Sequence, residues 1–203
     1  MPARQFSPVK DNKEKQKTYA EVMAQYKRAV AGGFFGEAMM IDYAVMEDRL
    51  RSLLFHMGAL ISRDSFRVDN IQFIEQFDLN TKTGKNGAVY SEMNSMSQKL
   101  NIIKRVVQYT YDHLDDRYCL ELWDTIGGEM EILRMKDELK SIENWKDPRN
   151  EIVHALLNKN TDEVNARYEM ICREGKKLGE CLNSQVKKVK KNPKLKFLIY
   201  KEK

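Results

Sequence analysis

The chain has 203 residues, 42% of them apolar and 32% charged, and a formal net charge of +5. Those proportions suit one folded domain with a heavily charged surface. No apolar run approaches the roughly 18 residues of a membrane span, and the opening MPARQFSPVKDNKEKQK lacks the apolar segment of a signal peptide. Cys119, Cys172 and Cys181 form no C-x-x-C pair and leave an odd one out, which points to a reducing, cytoplasmic setting. His56, His113 and His154 are far apart, and no HExxH occurs, so no metal or other cofactor is expected.

Residues 1–11 read as a disordered start, followed by a helical domain over 12–186 and a basic tail over 187–203. The first helical stretch carries Tyr19, Val22, Met23, Tyr26 and Val30 at helical spacing and stops at Gly32-Gly33. Residues 34–62 are the longest apolar-periodic segment, with Met39, Tyr43, Met46, Leu50, Leu53, Leu54, Met57 and Leu60 on one broad face. Residues 63–90 read as an insertion or loop region in which VDNIQFIEQF suits a short helix and NTKTGKNGA a loop.

A helix resumes near Ser91 and runs to about Leu114. Asp115-Asp116 are placed to cap a short element, RYCLELWDTI, which Gly127-Gly128 end. A charged amphipathic helix, EMEILRMKDELKSIENW, follows. Asp147-Pro148 then reads as a new helix start, Asp as N-cap and Pro at the first helical position. After Asn160-Thr161 one long helix continues to Asn192-Pro193, and KLKFLIY is a short apolar end. There is no sustained alternating pattern, so the expected fold class is all-α, a bundle of five to six main helices.

The segment DPRNEIVHALLNKN, residues 147–160, carries the chemistry. Asn150 and His154 are i and i+4, one above the other on a helix, and Arg149 is one residue round. An imidazole gives or takes a proton near neutral pH. A guanidinium grips two phosphate oxygens and stabilises developing charge. A helix N-terminus at Asp147 would favour an anion. The set suits RNA cleavage by the substrate's own 2′-OH, which needs proton transfer and charge stabilisation. A partly buried structural histidine with solvated neighbours fits the same spacing.

An all-α chain whose late helix carries Arg149-Asn150 and His154 in R-x4-H order resembles the HEPN family. The resemblance covers residues from about 34 to 185. It implies a helical bundle of four to five main helices. It also implies a metal-independent endoribonuclease of the toxin–antitoxin or antiviral-defence kind, acting as a homodimer with a composite site, and therefore a cognate antitoxin or defence-system partner. The family also holds members that bind without cleaving. Many members set an acid on an early helix facing the motif. Glu47 or Asp48 answers to that here, and Glu47 is preferred because it lies between Tyr43/Met46 and Leu50 in helical phase.

The tail is Lys-rich, and Lys187, Lys188, Lys190 and Lys191 are expected to bind RNA phosphates without choosing sequence. His56 reads as a core or interface residue, and Asp112, Asp115 and Asp116 around His113 as caps and solvated charge. Met39, Met40, Met46 and Met57 read as core filling, Trp123 and Trp145 as core anchors. Two other functions stay open: a helical module that binds RNA or a nucleotide without turnover, and an interaction scaffold in which Arg149 and His154 serve a dimer interface.

Overall fold

The computed structural model describes residues 12–63, 65–155 and 161–199. Among these the fold is all-α, with eight helices and one small sheet. Six helices have ten or more residues: α1 Asn12–Ala31, α2 Phe35–Met57, α4 Met96–Asp112, α5 Arg117–Ile126, α6 Glu129–Ala155 and α7 Thr161–Lys191. The remaining two, α3 Ile71–Gln76 and α8 Lys194–Ile199, have six residues each.

Local chemistry sets most of the boundaries. α2 stops at Gly58, which takes the left-handed conformation at φ 92°. Ser95 and Gln98 form a reciprocal capping box at the start of α4, four residues later than the sequence suggests. Asp116 caps α5 by accepting from the Cys119 N–H at 2.9 Å. Ser91 lies on a strand instead. Strands β1 Arg67–Val68, β2 Lys82–Thr83 and β3 Val89–Glu92 pair antiparallel in the order β1-β3-β2. Arg67 faces Glu92 and Lys82 faces Tyr90 across the sheet. Strands of two to four residues are too short to display a period of two.

Residues 63–90 are not a detached loop. Val68, Phe73, Ile74 and Phe77 are buried in the main core, and the Phe77 ring packs against Phe73, Tyr109 and Tyr118 at 4.6, 5.3 and 5.6 Å between centroids.

The bundle is organised on α2 and α7, which run parallel. A Cβ on Gly36 would lie 3.6 Å from Tyr168, one on Gly179 would lie 3.9 Å from Met46, and Arg49 donates to Asn183 at 3.3 Å. Position rises together along both helices. α6 runs the other way: Glu131 meets Lys188, Glu138 meets Gln185, and the Trp145 indole donates to the Ile171 carbonyl. α4 is antiparallel to α6 through Lys104–Glu143 and Ser97–Lys146. α1 is antiparallel to α2 through Lys15–Asp48 and Gln25–Glu37.

Two expectations are corrected here. Asp147-Pro148 does not open a helix, because α6 is continuous from Glu129 to Ala155 with Pro148 inside it. A proline there removes one backbone donor and costs about 3 kcal/mol. The stripe Ile132, Met135, Leu139, Ile142 and Trp145 is buried up to the residues just before it, and Lys146 donates to Ser97 at 2.8 Å. Those contacts hold the axis through the break.

The segment 187–199 is likewise no tail. It is the last turn of α7 and all of α8, and Val189, Leu195 and Ile199 are buried in the core. The positions 1–11 and 200–203 lie outside the described residues.

Candidate functional site

The backbone of Arg149, Asn150 and His154 forms the last turns of α6. Helical phase sets Lys146, Asn150 and His154 at successive turns along one side, while Arg149 stands seven residues after Ile142 and continues the phase of the buried stripe. Asn150 is half-buried. The side chains of Arg149 and His154 lie outside the described residues. With the helix start gone, the motif sits at the carbonyl end of α6. That end attracts cations rather than anions, so a phosphate there must be gripped by side chains.

The level of the motif along the bundle decides which acids can serve it. Trp145, Asp42 and Gly175 meet at one height: a Cβ on Gly175 would lie 2.8 Å from the Trp145 ring and 3.2 Å from the Asp42 Cβ. α2 and α6 are antiparallel, so Glu47 is displaced from that level in one direction and the motif in the other. At 1.5 Å per residue the axial separation from Glu47 is about 13 Å for Arg149 and about 21 Å for His154. Within one protomer Glu47 therefore stands well off the level of His154. Its carboxylate accepts from Lys99 at 3.0 Å, and the Lys99 side chain is only 8% exposed. Asp48 is taken up by three cations, Lys15 at 2.6 Å, Arg49 at 3.0 Å and Arg51 at 3.5 Å.

A buried acid stands at the level of Trp145, about 6 Å along the axis from Arg149. Asp42 is buried, and its Oδ2 has no hydrogen-bond partner. The Cys172 thiol donates to its carboxyl, and the Tyr26 hydroxyl meets the Cys172 sulfur at 3.3 Å. Burial pushes Asp42 up to about 7, against the pull of Lys176 and the thiol and with a further push from Glu180. Burial also raises Cys172, so it is a neutral thiol and no nucleophile at physiological pH. A signal was present: Asp42 is a lone acid between Met39 and Met46, in phase with the apolar stripe of α2.

No family model, no curated protein and no solved structure matches this chain.

The four lysines expected to form one RNA-binding patch are divided. Lys188 turns inward, pairs with Glu131 at 2.5 Å and donates to the Ile126 carbonyl at 3.0 Å. Lys187, Lys190 and Lys191 are exposed. Lys188 and Lys190 lie on opposite edges of α7, because two residues turn the helix by about 200°. His113 stacks on Tyr109 at 3.9 Å between centroids, and Asp116 is occupied as a cap and by Gln76 at 3.2 Å.

Proposed function

We propose that the protein is a metal-independent endoribonuclease of HEPN type, a toxin or defence effector working as a homodimer. The observation that carries the reading is the R-N-x-x-x-H order of Arg149, Asn150 and His154, set on continuous helix so that Asn150 and His154 are one turn apart. Two copies of the motif, one from each protomer, make one cleft. The ribose 2′-oxygen attacks phosphorus, and the bond from phosphorus to the 5′-oxygen breaks. His154 removes the 2′-OH proton or returns one to the leaving oxygen, and Arg149 stabilises the charged phosphorane. Asn150 positions the imidazole or the RNA backbone. A toxin of this kind needs a cognate antitoxin as partner.

The test is incubation of the purified protein with mixed RNA in EDTA, beside His154→Ala. The parent is expected to leave 2′,3′-cyclic phosphate and 5′-OH ends, and the variant to cleave ~10²–10⁴-fold more slowly. Loss of activity in EDTA, or equal cleavage by His154→Ala, refutes it. A binding module without turnover is the second reading, favoured by the cation-rich face described next.

A further inference from the structure

The C-terminal half of α2 lies at the opposite end of that helix from the level of the motif, and cations crowd around it. Asp48 alone faces Lys15, Arg49 and Arg51. About two turns along, His56 feels Lys196, Lys190, Arg63 and Lys15. Burial and this charge act together. Burial first, and then those four cations, push His56 down to about 4. Burial, and then Arg63, lower Lys196 to about 8. The His56 Nε2 and the Arg49 Nε are buried without hydrogen-bond partners.

Aromatic rings are interleaved with these cations. Lys196 sits 3.0 Å above the centre of the Phe55 ring, Arg51 lies 5.6 Å from the centre of Phe66, and Arg67 lies 4.8 Å from that of Tyr90. Phe66 is 71% exposed, although it is a large apolar ring. It opens a groove of about 430 Å³ lined by Ser65, Phe66, Arg67, Tyr90, Glu92 and Asn94. Among the described residues that line it Glu92 is the acid, and Lys82 pairs with it at 2.8 Å. The cation cluster and the groove are continuous, because Arg51 bridges Asp48 and Phe66.

We infer that this face, from α2 and α8 across Phe66 to the β1–β3 groove, binds single-stranded nucleic acid, with bases stacked on Phe66 and Tyr90 and phosphates on the surrounding cations. Each part of the pattern has its own reason. Like charges held this close repel, and a polyanion turns the repulsion into attraction. An acidic peptide or a duplex would also answer to the charge. Neither uses an exposed ring beside a guanidinium, whereas an unpaired base offers a π-face to every such platform. A duplex keeps its π-faces inside its stack. The binding of a single strand follows from this face alone. The choice of RNA over DNA rests on the ribonuclease reading.

The test is fluorescence anisotropy with a labelled oligouridylate, a hairpin duplex of equal length and polyglutamate, across a salt series on the full chain. The single strand is expected to bind most tightly. Phe66→Ala should weaken it about tenfold and leave the salt slope unchanged, as loss of a stacking platform does. Arg67→Gln should lower the slope of log affinity against log salt by about 0.7. Equal or tighter binding of the duplex or of polyglutamate overturns the assignment, as does parental affinity in both variants. Tight binding by a parent that does not cleave leaves this face standing and refutes the ribonuclease. Cleavage with parental KM in Phe66→Ala and Arg67→Gln does the reverse.

Discussion

The Trp145 indole fills the space that Gly175 leaves by having no side chain. A Cβ on Gly175 would stand 2.8 Å from the ring, inside any real contact distance, and the indole N–H is anchored 2.8 Å from the Ile171 carbonyl. Glycine inside a helix costs about 1 kcal/mol relative to alanine, so intrinsic propensity alone favours Gly175→Ala. The close approach reverses that. The variant is expected to lose about 2 kcal/mol net, read from the midpoint of a urea melt. A variant more stable than the parent would show that α6 and α7 have room to part.

Asp42 makes stability depend on pH, and the sign is fixed. Below pH about 4 the carboxyl is protonated in both folded and unfolded chains. Between about 4 and 7 the unfolded chain gives up its proton while the folded one keeps it, so stability falls as pH rises. Above about 7 the loss is constant. Asp42→Asn should therefore match the parent near pH 4 and exceed it by ~4 kcal/mol at pH 8. A difference that does not change with pH between these limits contradicts the shift.

Glu47 is tied to Lys99, and its removal should register in stability rather than in cleavage. Glu47→Gln strands a buried ammonium, at a cost of ~1–2 kcal/mol given that the carboxylate is partly exposed. Adding Lys99→Met should restore most of it. Cleavage by Glu47→Gln, assayed at equal folded concentration, should stay within a few-fold of the parent. A loss comparable to that of His154→Ala would return Glu47 to the site.

Cutting the chain before Lys187 should unfold it rather than merely weaken binding to polyanions. The cut removes Val189, Leu195 and Ile199 from the core, and each such side chain contributes about 1.5–3 kcal/mol. The expected result is loss of the cooperative thermal transition. Lys187→Gln with Lys191→Gln, both on the exposed side of α7, should melt like the parent. A truncated chain that still melts cooperatively at the parent's temperature contradicts the packing of α8.

Helix content was legible wherever a stripe, a cap and a stop coincided. α7 runs from Thr161 to Lys191 as its periodicity and the Asn192-Pro193 stop require, and Asp116 caps α5 as its place before an apolar run suggests. Pro148 misled because a local start signal competes with packing that only the folded bundle reveals. Lys188 and Lys190 look alike in a lysine run, yet one turns to Glu131 and the other to the side of His56. Glu47 had the right phase for an inward-leaning acid, but phase fixes a face and not a height. Height is set by which helices run parallel, and a single sequence does not carry that.

The parallel course of α2 and α7 also governs the order in which the molecule can assemble. The two faces that meet at Gly36 and Tyr168, or at Met46 and Gly179, are separated by more than half of the chain. During synthesis the apolar side of α2 leaves the ribosome long before its partner is made. Leu50, Leu53 and Leu54, fully buried in the finished core, are exposed until their partners follow. Closure of that long loop must precede the contacts that reward it, so folding is slow for a helical protein. In the interval the nascent chain exposes a greasy helix that invites self-association or a chaperone.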